Sequence, residues 1–119
     1  MAKIDLIYEG KRFFIDLRVC NFIQRFFGLM FVKKEKAKAL LFEFKKPTKV
    51  KIHSLFVFLD FIAIWLNKKN KIVDLKIVKP FNFVITPKKS FCKLIEIPMN
   101  KRYKGVVELL TPRRKSRKV

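Results

Sequence analysis

A histidine, a serine and an aspartate share one apolar run, IHSLFVFLDFIAIWL (residues 52–66): His53, the only histidine of the chain, Ser54 and Asp60. A histidine oriented by a carboxylate can serve as a general base, and Ser54 or Cys92 is a nucleophile by type. A working base also needs a nucleophile within reach and a substrate pocket. The sequence supplies no nucleophile elbow, its three glycines form no phosphate cradle, and no group of residues has metal-ligand spacing. A neutral core histidine satisfied by one hydrogen bond is therefore the favoured reading of His53, an enzyme is the less favoured class, and neither cofactor nor metal is expected.

Asp60 poses a separate problem, because a lone carboxylate among phenylalanines must be paired or hydrogen-bonded, or its pKa rises until it protonates. Arg25, His53 and main-chain amides are the available partners. Arg25 lies one position off the helical face set by Phe22 and Phe26, so its guanidinium fork can cross to a sheet, and the expectation is an Arg25 to Asp60 clamp. The alternative use of Arg25, His53 and Asp60 is a small-molecule site or enzyme at the mouth of the sheet.

These groups sit in a chain of 119 residues with 29 Lys plus Arg against 9 Asp plus Glu, a formal charge of +20. Such a field attracts polyanions through association rate and non-specific affinity and says nothing of the fold. Lysine enrichment also accompanies heat-adapted or compositionally biased proteomes, so the charge alone does not name a partner. Half of the residues are hydrophobic and 14 are phenylalanine, ample for one core and far from the composition of disorder. Cys20 and Cys92 are too few for a disulfide framework and are read as reduced thiols. The opening MAKIDLIYEG has no continuous apolar stretch of the signal-peptide kind, which favours a cytoplasmic location. The run at 52–66 is shorter than the roughly 20 residues a membrane helix needs, and Asp60 at its middle would cost about 2.5 to 3.5 kcal/mol on insertion.

The elements that position these residues follow from periodicity. Residues 2–9 and 11–20 read as two antiparallel strands around Gly10. Phe22, Ile23, Phe26, Phe27 and Met30 mark one face of a short helix, with Asn21 as N-cap and Gly28 just past its end. Ala39–Phe44 is a strand stopped ahead of Pro47. Val50–Leu66, rich in β-formers, reads as two strands buried on both faces. NKKN at 67–70 turns into a strand over Lys71–Lys79, and Pro80 and Pro87 bracket a loop. A strand over Phe91–Ile97 follows, then one helical turn between Pro98 and Gly105, then a last strand over Val106–Leu110. The expected fold is α+β, mainly β: a small curled or barrel-like antiparallel or mixed sheet with one or two short helices. Residues 1–111 form the domain, and 112–119 are a basic tail, disordered until something negative binds it.

Four stretches in order, RFFGLMF (25–31), ALLFEF (39–44), LDFIAIWLNKKNKIVD (59–74) and LIEIP (94–98), resemble the family catalogued as domain of unknown function 192. The resemblance spans about residues 3–110. It implies a small, mainly β domain without an established activity, with Asn21 at the helix cap and Arg25, Gly28 and Asp60 on the family's characteristic polar or glycine positions. The chain departs from the family where Ile52, His53, Ser54 and Leu55 replace the common Met-Lys-Asn-Thr, where Phe58 replaces a proline, and where a late Gly-Asp is missing.

Cations interleaved with aromatics carry the favoured functional reading. FKKPTKVK (44–51), KPFNFVITPKK (79–89) and NKRYK (100–104) have the make-up of a basic groove on which bases stack, although Phe81 and Phe83 are equally read as core or loop anchors. The expectation is a non-enzymatic binding module that associates with RNA or DNA through phosphates contacted by Lys45, Lys46, Lys49, Lys51 and the tail residues Arg113, Arg114, Lys115, Arg117 and Lys118. An anionic membrane surface is the less favoured polyanion, and a structural or interaction protein with an apolar contact patch is the third class.

Overall fold

Alternating apolar residues build the first hairpin of the computed structural model, which describes residues 2–20, 28–54, 56–82 and 84–111. Strand β1 (Ala2–Tyr8) pairs antiparallel with β2 (Lys11–Val19) from Ala2↔Leu17 to Tyr8↔Lys11. Glu9 and Gly10, with φ of 50° and 79°, form the two-residue turn, whose positive angles match the twist of the strands. Phe13, Ile15 and Leu17 of β2 face inward and their neighbours outward.

Strand β3 (Ala39–Thr48) returns beside β2 in parallel, with Leu17↔Ala39 and Val19↔Leu41. It passes Phe44 and tolerates Pro47 because its pairing with β6 (Phe91–Pro98) shifts register between Glu43 and Thr48. Strand β4 (Phe61–Leu66) pairs with β6 on one side and with β5 (Ile72–Val78) on the other. The sheet order is β1-β2-β3-β6-β4-β5. It curls into a half-barrel whose edge strands β1 and β5 approach each other while remaining the two ends of the hydrogen-bonded order.

All six residues of β4 are buried, so the middle of the sheet is covered on both faces, while β1 and β2 leave one face to solvent. Leu6, Ile15, Leu17, Leu41, Ile62, Ile64, Ile95 and Ile97 fill the inside of the curl together with Tyr103 and Leu110. Leu40, Phe42, Phe61, Ala63, Trp65, Phe91 and Leu94 form a second cluster on the outer face, roofed by Leu29, Ala37, Val57, Leu59 and Ile85 from the connections.

Two expectations are corrected. Residues 49–60 contribute no strand of their own beyond one bridge, Ile52↔Ile85: Phe56 has φ 60°, and the hydrogen bonds of Ser54 fold this stretch onto the 79–82 loop. The segment after Gly105 is not a strand but part of helix α1 (Lys104–Leu110), entered through a 3-10 turn at Lys101–Tyr103. Val106, Val107, Leu109 and Leu110 have the i, i+1, i+3, i+4 spacing of one helical face, and they pack on the inner cluster. The helix expected at 21–28 falls on residues 21–27, outside the described residues, as does the tail from 112.

Tyr103 links this last segment to the parallel joint of the sheet. Its buried hydroxyl accepts from the Ala39 amide at 2.7 Å and donates to the Asp16 carbonyl at 3.2 Å. Tyr103→Phe leaves both main-chain groups without a partner, and it is expected to lower unfolding free energy by about 1–2 kcal/mol, read as a lower urea midpoint at unchanged slope.

Candidate functional site

Ser54 is fully buried and gathers the connections that roof the outer face. Its hydroxyl donates to the Lys79 carbonyl at 2.6 Å and accepts from the Asn82 amide at 2.7 Å. Its own amide donates to the Asn82 carbonyl at 2.8 Å, and its carbonyl accepts from the amides of Phe81 and Val57 at 2.8 and 3.1 Å. Every polar group of Ser54 is thus engaged in holding the 54–57 turn against the 79–82 loop. The hydroxyl proton is committed to a main-chain carbonyl, so Ser54 is a joint of the scaffold, where residue type alone allowed a nucleophile.

His53, beside it, is exposed, so it is not the core histidine that the sequence favoured. The Asp60 carboxylate is about one-third exposed and, among the described residues, takes the Lys79 ammonium at 2.8 Å. Arg25, the partner expected from the sequence, lies outside the described residues. Cys92 is buried on β6, and the half-buried thiol of Cys20 is pushed up to about 11, first by burial and then by the nearby Glu96 carboxyl. Such a thiol is protonated at neutral pH and is no nucleophile there. Lys45 and Lys46 on β3, and Lys49 and Lys51 at its end and in the following connection, lie along one basic stretch of the chain. Arg113, Arg114, Lys115, Arg117 and Lys118 lie outside the described residues.

Glu96 occupies the centre of β6, opposite Leu40 on one side and Ala63 on the other. Burial pushes its carboxyl up to about 8. Gly28, at φ 49°, sits so near that a Cβ there would meet Glu96 Oε1 at 3.3 Å, so glycine is favoured by its backbone conformation and by the tight contact with the carboxyl. The motif stretches RFFGLMF and LIEIP thereby meet in space at Gly28 and Glu96.

The strongest feature of the surface is one the sequence left undecided. Phe31, Phe56, Phe58 and Phe81 are between 49% and 65% exposed, yet they touch one another. Phe31 lies stacked on Phe56 with centroids 5.3 Å apart, tilts toward Phe58 at 6.4 Å, and Phe58 meets Phe81 edge-on at 5.5 Å. Within the 56–59 segment Val57 and Leu59 point into the outer core while Phe56 and Phe58 point to solvent. Phe81, read from the sequence as a core or loop anchor, belongs to this cluster. The signal available in the sequence was the spacing of Phe56 and Phe58 in a run whose intervening residues are aliphatic, and it was absorbed by the expectation of a strand buried on both sides.

Comparison with known proteins agrees with this architecture. A family model described as Uncharacterized ACR, domain of unknown function 192, matches residues 9–110. A UPF0127 protein of Pyrococcus furiosus is 31% identical over 106 residues, covering 88% of this chain and 86% of its own, and one of Thermococcus kodakarensis is 38% identical over 94 residues, covering 76% and 59%. A crystal structure from Sinorhizobium meliloti 1021, provisionally described as a transcription regulator, superposes with a TM-score of 0.72 at 15% identity over 88% of this chain and 84% of that one. At that identity the likeness is one of fold.

Two outcomes follow from these geometries. Ser54→Ala removes the hydroxyl that serves Lys79 and Asn82; a decrease of about 1–3 kcal/mol in stability is expected, with faster amide exchange at Phe81 and Asn82 than in the strands. Glu96 has a folded pKa of about 8 against an ordinary 4.5, so the folded state binds the proton more tightly and stability falls as pH rises from about 4.5 to 8. A denaturation series over that range should show the decline, and Glu96→Gln should flatten it.

Proposed function

This chain belongs to the Uncharacterized ACR family, domain of unknown function 192, and on that premise we propose that it is a binding module that associates with nucleic acid through backbone phosphates. The observation that carries the reading is the formal charge of +20 together with a run of lysines, Lys45, Lys46, Lys49 and Lys51, leading straight into the connection that bears the aromatic cluster. Lysine ammonium groups take phosphate oxygens without regard to sequence, and each such pairing releases a condensed counterion. Arg113, Arg114, Lys115, Arg117 and Lys118 extend the same charge along the chain. The described candidates for nucleophilic or general-base chemistry favour binding over reaction: Ser54 is engaged by main-chain groups, the Cys20 thiol is raised, and the Asp60 carboxylate is held by Lys79. No helix among the described residues is long and apolar enough to cross a membrane.

The test is a salt titration of oligonucleotide affinity. A linear fall of log K with log salt is expected, and replacing Lys45, Lys46, Lys49 and Lys51 together by Gln should make the slope shallower by roughly 0.7 to 0.9 for each phosphate no longer neutralised. Affinity indifferent to salt would sink the reading.

A further inference from the structure

We propose that the exposed rings of Phe31, Phe56, Phe58 and Phe81 form a stacking platform for unpaired bases, so that the nucleic acid taken by this protein is single-stranded; this rests on the phosphate-binding reading above. Four phenylalanines linked in a row by ring contacts, each about half or more exposed, make a contiguous apolar patch of the kind that marks an interaction site.

Backbone conformation argues that the patch is built. Phe31, Phe56 and Phe81 have φ of 61°, 60° and 63° and are three of the five non-glycine residues with positive φ among those described. A bulky side chain in the left-handed region is a strained arrangement that glycine or asparagine would relieve, and such strain gathers at ligand sites. Here it turns the rings outward while two main-chain hydrogen bonds fix them: the Phe31 amide donates to the Phe56 carbonyl at 2.9 Å, and the Phe81 amide donates to the Ser54 carbonyl at 2.8 Å. The platform is thus held open before any ligand arrives, and little ordering remains to oppose binding.

Charge selects the occupant. Lys79, two residues before Phe81, is paired with Asp60 and adds no net charge there, so the net charge flanking the rings comes from other cations. Lys33 follows Phe31 by two positions, and Lys51 ends the lysine run that precedes Phe56. Rings for base faces and ammonium groups for phosphates are the two parts of a single-strand site. In a duplex the base faces are covered by their neighbours, which leaves only phosphates for such a surface to hold.

An abasic oligonucleotide separates the two parts. Fluorescence anisotropy with an oligouridylate of about 12 nucleotides, near the span of one single-strand-binding domain, is compared with an abasic strand of equal length. The wild type should bind the base-bearing strand at least about 5-fold more tightly, the low end of the stacking contribution of one base. The combined change Phe31→Asn, Phe56→Asn, Phe81→Asn should abolish that preference and leave abasic affinity unchanged. Asparagine accepts the left-handed backbone, so the melting temperature should hold or rise; Phe58→Leu, which keeps an apolar side chain, should reduce the preference in part. Equal wild-type affinity for both strands overturns the platform, and if that affinity still falls with salt the phosphate reading survives it. Binding to neither strand overturns both. Loss of binding to phosphatidylglycerol vesicles in the asparagine variant, with oligouridylate binding intact, would make the cluster a membrane seat and also overturn the proposal.

Discussion

Two-sided burial of the central strands governs this structure. Strand β4 has no residue at the surface and β6 only its partly buried Lys93, so neither face of the sheet's middle can be left to water. Curling the sheet answers one face, since Leu17, Leu41, Ile62, Ile64 and Ile95 then meet across the hollow and α1 closes it. The other face has no second sheet. It is sealed by connections, and a connection that seals a core must satisfy its own main-chain groups away from water.

Ser54 meets that requirement within a single residue. It engages the Lys79 carbonyl, the amide and carbonyl of Asn82, and the amides of Phe81 and Val57. With two loops fixed at that joint, Val57, Leu59 and Ile85 descend onto Phe61 and Trp65, and the intervening phenylalanines are left facing outward. The apolar surface and the packed roof are therefore two sides of the same segment, and one alternation of side chains generates both. Asp74 plays a comparable part on the next loop, accepting from the amides of Leu75 and Lys88 at 2.8 and 2.9 Å.

The mainly β character, the first hairpin, the strands expected at 71–79 and 91–97, the start of the strand at 39 and the loop at 80–87 were legible from local alternation, prolines and glycines; Pro47 was misread as a stop, since β3 runs through it to Thr48. The last element was misread because Val106, Val107, Leu109 and Leu110 favour strand by type while their spacing fits a helix, and the inner hollow selects the spacing. Residues 49–60 were misread for a related reason: Phe56, Val57, Phe58 and Leu59 are all apolar and suit a buried strand, and nothing local reveals that a serine will bend them onto a distant loop. Asp60 was expected to be paired or hydrogen-bonded, and its described partner Lys79 stands 19 positions away, where the β4–β5 pairing brings it. Glu96 passed unremarked outside its motif because a glutamate between two isoleucines in a strand looks like an outward-facing residue; it is buried because both faces of β6 are covered.

The strand order carries a consequence for how the chain reaches this state. Both hairpins, β1 with β2 and β4 with β5, are local in sequence, whereas β6 follows all of them and lies between β3 and β4. Until β6 is available the two halves of the sheet share no ladder, and their apolar faces stay uncovered. On the ribosome, where the N-terminal portion emerges first, closure is held back until residues 91–98 have left the exit tunnel. Pairing that joins distant segments forms slowly, so insertion of this penultimate element is the step expected to set the refolding rate, and the half-assembled sheet is the species most exposed to aggregation.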